Sequence, residues 1–161
     1  AGTIITTATP GALTNLDQIL HVREEQATNT AGGTSVAGNQ VRTLNTVVTN
    51  TITGSSLTSN QFTLPAGTYT ILASAPSYAA NRHRIRLVNS TDSVNVLLGN
   101  NATSSASTTH SFIFGKFTLA AEKELNITHY IQEVNSSNGL GNSIGDTFES
   151  VYTSVYITKI G

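Results

Sequence analysis

Cysteine is absent from the chain, and so is methionine. Without cysteine there are no disulfides, no thiol nucleophile and no zinc–thiolate site, and redox chemistry says nothing about compartment. Charge is also scarce. Only 11% of residues are Asp, Glu, Lys or Arg, against about 25% in an ordinary soluble domain. The net charge is −1. No basic stripe marks a nucleic-acid binder and no basic amphipathic helix marks a membrane-surface protein, so neither partner is expected. No apolar run approaches the roughly 18 residues of a membrane-spanning helix. The chain opens Ala1-Gly2 without a signal-peptide pattern. That fits an intracellular product after loss of its initiator, and equally a mature secreted chain.

Uncharged polar residues fill the space that charge leaves: 58 of the 161 residues are Thr, Ser or Asn. Threonine loses χ1 freedom in a helix and suits a pleated surface, so the composition favours strands. Period-two alternation supplies the strands themselves. After Pro65-Ala66-Gly67, one run places Tyr69, Ile71, Ala73 and Ala75 on one face. A second run places His83, Ile85 and Leu87 on one face and Arg82, Arg84 and Arg86 on the other. Further strands are expected at 19–26, 41–53, 61–64, 94–98, 111–119, 125–134 and 150–160. Segments 27–40, 102–109 and 135–146 read as loops, the last long enough to be a functional or mobile excursion. Strands about every ten residues, with no amphipathic helix, predict an all-β sandwich or jelly roll. Residues 1–18 read as an extended arm ahead of a domain at 19–161. In that arm the apolar pair Ile4 and Ile5 is expected to dock on its own domain or on a neighbouring molecule.

The search for chemistry returns little. Nine carboxylates are spread thinly, and His21, His83, His110 and His129 show no metal-ligand spacing. The Gly-x-Ser-x-Gly spacing occurs at Gly141-Asn142-Ser143-Ile144-Gly145, but in a segment that reads as a loop, without the strand–turn–helix context of a nucleophile elbow. The expectation is no enzyme, no cofactor and no metal. Arg82, Arg84 and Arg86 read as a solvated face, or as a contact for an anion or a partner. The tyrosines carry more. Tyr130, and Tyr152 with Tyr156, take the polar parity of their strands, which predicts a shared self-association surface or, as the alternative, ordinary partial burial under a loop.

The run Leu64-Pro65-Ala66-Gly67-Thr68-Tyr69 and the terminal strand Val151-Tyr152-Thr153-Ser154-Val155-Tyr156 resemble the tumour-necrosis-factor/complement-C1q jelly roll. A more extensive resemblance is to small phage-encoded proteins of that fold, through HVREEQ, RTLNTVVTNTIT, LPAGTYTILASAPSYAANRHRIRLVNST and SFIFGKFTLAAEKELNITHYIQ. The resemblance implies a homotrimer whose threefold axis is faced by Leu72, Tyr130, Tyr152 and Tyr156. It also implies a virion protein, assembled in the host cytoplasm, that cements or decorates a phage capsid. Its partner would be the major capsid protein, with Ile4 and Ile5 as contact candidates. The alternative is the receptor- or glycan-binding tip of a tail fibre, with 102–109 and 135–146 as the loops to suspect.

Overall fold

Alternating apolar parity becomes two sheets packed face to face. The computed structural model describes residues 18–160. Residues 1–17, with Ile4 and Ile5, lie outside the described residues, as does Gly161. Twelve strands follow in chain order: β1 (Ile19–Gln26), β2 (Gly38–Val41), β3 (Thr46–Asn50), β4 (Ser56–Thr58), β5 (Gln61–Leu64), β6 (Gly67–Tyr78), β7 (Asn81–Asn89), β8 (Val94–Leu98), β9 (Ala102–Ser104), β10 (Thr108–Leu119), β11 (Lys123–Ile131) and β12 (Ser150–Lys159).

One sheet has five strands in the order β10-β6-β12-β1-β3. The other has seven, with β4-β5-β11-β7-β8 as its main path, β2 beside β11 and β9 beside β7. Every pairing between strands is antiparallel. The chain passes back and forth between the sheets, so consecutive strands seldom pair. This is the jelly-roll arrangement the alternation predicts, and no helix occurs among the described residues.

The core is what the two inner faces share. The five-stranded sheet contributes Leu20, Val22, Tyr69, Ile71, Ala73, Ile113, Phe117, Val155 and Ile157; the other contributes Phe62, Leu64, Ile85, Leu87, Leu125 and Ile127. Each large side chain buried here stabilises the fold by about 1.5–3 kcal/mol relative to exposure. Tyr69 is held twice, by stacking on Phe117 at 5.4 Å between centroids and by donating from its hydroxyl to Pro65 O at 2.7 Å. Gly67 makes room for that ring, because a Cβ there would sit 3.2 Å from Tyr69 Oη and 2.7 Å from Lys159 Cε.

Three expected segments divide differently. The run 41–53 is not one strand. It leaves the seven-stranded sheet after Val41, buries Arg42 and Leu44, and joins the other sheet at Thr46. The segments expected as loops at 27–40 and 102–109 hold β2 and β9, short strands that each pair with one neighbour. Long pairing ties the ends together: Ile19 stands opposite Thr158, and Gln26 opposite Ser150.

Candidate functional site

β6, β10 and β12 form the middle and one edge of the five-stranded sheet, and their outer faces lie bare. Registers place Phe114 across from Leu72, Leu72 across from Tyr156, and Tyr156 across from His21. The four make one row across the sheet. Phe114 is 87% exposed, Leu72 52% and Tyr156 40%. The His21 ring meets Tyr156 edge-on at 5.7 Å. Burial, and then the nearby Arg23 charge, lower the His21 pKa from its usual range. The next row is Phe112, Ser74, Ser154 and Arg23, and the row on the far side contains Lys116, Thr70 and Thr158. A strip of rings and one leucine therefore crosses the sheet, extended by Phe112 on one side and bounded by Lys116, Thr70 and Thr158 on the other. Phe112 stacks on His110 at 5.9 Å, and beyond it Ile144 and Val151 join His110 around a shallow hollow. Contiguous apolar surface of this kind marks a contact face in soluble proteins.

Of the residues expected at a shared interface, Leu72 and Tyr156 belong to this row. Tyr152 does not. Between Ser154 and Val151 two residues of β12 oppose the single residue Glu24 of β1. That bulge reverses the parity of the strand. Tyr152 turns inward, and its hydroxyl donates to Thr30 O at 2.6 Å. Tyr130 is on the other sheet altogether, paired with Asn39 on one side and Arg84 on the other. The expectation that three tyrosines share one face is thus corrected by the bulge and by the assignment of β11 to the seven-stranded sheet. Phe112 and Phe114 take the place left open. Their shared parity was readable, because Ile113, Phe117 and Leu119 claim the inner face of the same strand.

Two polar clusters lie beneath these surfaces. Arg42 is fully buried. It donates to Thr153 Oγ1 at 2.8 Å, Glu24 Oε2 at 3.0 Å, Leu140 O at 3.0 Å and Pro76 O at 3.2 Å. Burial lowers its pKa and the Glu24 carboxylate opposes that shift. These bonds, with Gly32 N donating to Gly141 O and Leu140 N donating to Gly33 O, pin the 135–141 stretch against the domain. The second cluster is His83 with His129. The Thr109 hydroxyl donates to Thr103 O at 3.1 Å, so His83 Nε2–H donates to Thr109 Oγ1 at 2.8 Å. His129 Nε2–H then donates to His83 Nδ1 at 3.0 Å, and His129 Nδ1 is a buried bare nitrogen with no partner. No group of three or more His, Cys, Asp or Glu side chains is placed to hold a metal ion among the described residues.

No family model matches the chain, and no curated protein matches it. Solved structures do. Murine APRIL at pH 5.0 matches with a TM-score of 0.58 and 10% identity over 88% of this chain and 98% of that one. Its structure at pH 8.0 matches with a TM-score of 0.56 and 11% identity over the same shares. The globular domain of zebrafish complement 1qA protein matches with a TM-score of 0.56 and 16% identity, over 89% of this chain and 97% of that one. The likeness is one of fold: a jelly roll of the tumour-necrosis-factor and C1q kind.

Proposed function

We propose that this chain is a structural virion protein, a homotrimeric jelly roll that decorates or cements a phage head. The observation that carries the self-association is the uncovered row Phe114–Leu72–Tyr156. Water disfavours that row, and a second and third copy of the same face would remove it from solvent. The number three comes from the resemblance to the tumour-necrosis-factor and C1q jelly roll. The virion location comes from the sequence likeness to phage-encoded proteins of this fold. A surface poor in charge and rich in Thr, Ser and Asn suits many weak contacts with a capsid lattice. The work of such a protein is contact, not turnover.

The experiment is a count of copies in purified virions by quantitative mass spectrometry against the major capsid protein. A high copy number in fixed ratio to the capsid protein is expected. A handful of copies would move the protein to a tail or fibre and favour the receptor-binding alternative. Complete absence from virions would overturn the proposal.

A further inference from the structure

The outer face of the seven-stranded sheet carries a concentration of positive charge. Alternation along β7 turns His83, Ile85 and Leu87 into the sandwich and Arg82, Arg84 and Arg86 out of it. Across the sheet Arg84 stands opposite Tyr130, and Arg82 opposite Thr103. Asn101 closes the far side, its Oδ1 accepting from Arg84 Nη1 at 3.5 Å, the outer limit of a hydrogen bond. These side chains line an open cleft of about 300 Å³.

No Asp or Glu lines that cleft. None of the three arginines takes part in an ion pair among the described residues, where the pairs are Arg23–Glu25, Arg42–Glu24 and Lys123–Asp92. Arg86 is engaged elsewhere, donating from Nη2 to Asn39 Oδ1 at 2.8 Å. Glu133, just beyond the end of β11, takes a 2.8 Å hydrogen bond from Asn81 Nδ2. Arg82 and Arg84 are therefore two guanidinium groups on one strand face without a counter-charge, in a chain that spends charge sparingly. Such a pair attracts anions, and the planar fork of each suits a carboxylate. The rest of the lining is neutral. Asn101 and Thr103 offer donors and acceptors for hydroxyl groups, and Tyr130, 45% exposed, offers the face of a ring. The volume is at the lower end of small-molecule pockets, which run from about 300 to 1,000 Å³. It admits a single sugar ring.

We propose that this cleft binds an acidic sugar through its carboxylate. Arg82 and Arg84 hold the carboxylate, Tyr130 packs against the ring, and Asn101 with Thr103 takes its hydroxyls. The site is on the opposite sheet from the Phe114–Leu72–Tyr156 row, so it stands whether or not the chain is a trimer or a virion protein.

The test is titration of the full chain, followed by amide chemical shifts and calorimetry. The probes are glucuronic acid, N-acetylneuraminic acid, neutral methyl glucoside and inorganic phosphate. At least one of the two acids is expected to bind saturably, moving the amides of Arg82, Arg84, Thr103 and Tyr130, and methyl glucoside is expected not to bind. Arg84→Gln should weaken the acid by about tenfold or more, the equivalent of one charged contact. Lys116→Gln, on the opposite sheet, should leave it unchanged. Saturable binding by neither acid would overturn the proposal. So would a neutral glucoside that binds as well as the acids, or phosphate that binds more tightly than both. Unchanged affinity in a folded Arg84→Gln variant would overturn it too.

Discussion

Tyr152 and Tyr156 are four residues apart on one strand and face opposite sides of it. An even spacing should put both on one face. The extra residue opposite Glu24 breaks that rule and sends Tyr152 inward, where it is 6% exposed, while Tyr156 stays out at 40%. The bulge has a second effect. It brings Thr153 into the buried cluster, where its Oγ1 accepts from Arg42 and donates to Glu24 Oε2 at 3.1 Å.

That geometry separates the tyrosines by experiment. Leu72→Arg or Tyr156→Asp should convert the proposed trimer to monomer in analytical ultracentrifugation. Tyr130→Asp, on the other sheet, should leave the sedimenting mass unchanged. Dissociation by Tyr130→Asp, with Leu72→Arg still trimeric, would put the axis on the seven-stranded sheet.

The Arg42–Glu24 pair predicts an asymmetry in stability. Arg42→Met leaves the Glu24 carboxylate buried without its partner, which costs about 3–5 kcal/mol when a buried pair is broken. Adding Glu24→Gln removes the stranded charge and should restore part of the loss. Denaturant midpoints should rank wild type above the double variant, and the double variant above Arg42→Met.

Much of this fold was legible in the sequence, for a physical reason. Inner-facing residues alternate along β7 and along β6 as far as Ala75, so parity alone put Tyr69 with Ile71, and Ile85 with Leu87, on one face of each strand. Arg42 was not legible. It sits in VRTLNTVVTNTIT, where every second residue suits a strand, and nothing local shows that the chain crosses between sheets there. Its partner Glu24 is 18 residues away, and the carbonyls it binds belong to Pro76 and Leu140. The bulge was hidden for a similar reason: a one-residue slip is a property of two strands together. Tyr130 had the correct outward parity, but parity does not say which sheet a strand joins.

The histidine pair makes the protein sensitive to acid. Burial lowers the His83 pKa to about 4, helped by the charges of His110 and Arg42. Burial lowers His129 to about 2, helped by Arg42 and His83. Protonating either ring would also disrupt the relay of donors that ends at Thr103 O. Unfolded histidines take up protons near pH 6.5. Below that pH the unfolded state binds more protons than the folded one, so stability falls as pH drops. The loss from His83 should be complete near its folded pKa of about 4, and that from His129 should continue below it. Above about pH 6.5 the pair contributes no slope. Unfolding midpoints measured across this range should decline with acid, and His129→Leu should flatten the decline.

The link from β6 to β7 holds a local strain. Ala79 has φ 45°, a left-handed conformation that costs a side chain bearing a Cβ. Ala79→Gly relieves it and gives back some unfolded-state freedom, leaving a net gain of about 0.5–1 kcal/mol. The thermal midpoint should rise. A lower midpoint would mean that the Cβ of Ala79 contributes more by packing than its backbone loses.

The pairing of Ile19 with Thr158 at one end of the sheet, and of Gln26 with Ser150 at the other, gives the domain a polarity. Polypeptide joined ahead of Gln18 or after Ile160 departs from the same pole. The pole of Gly32, Gly141 and the link at Ala79 lies roughly 25 Å away along the strands. A segment fused at either end of the domain would therefore leave the opposite pole free for contact.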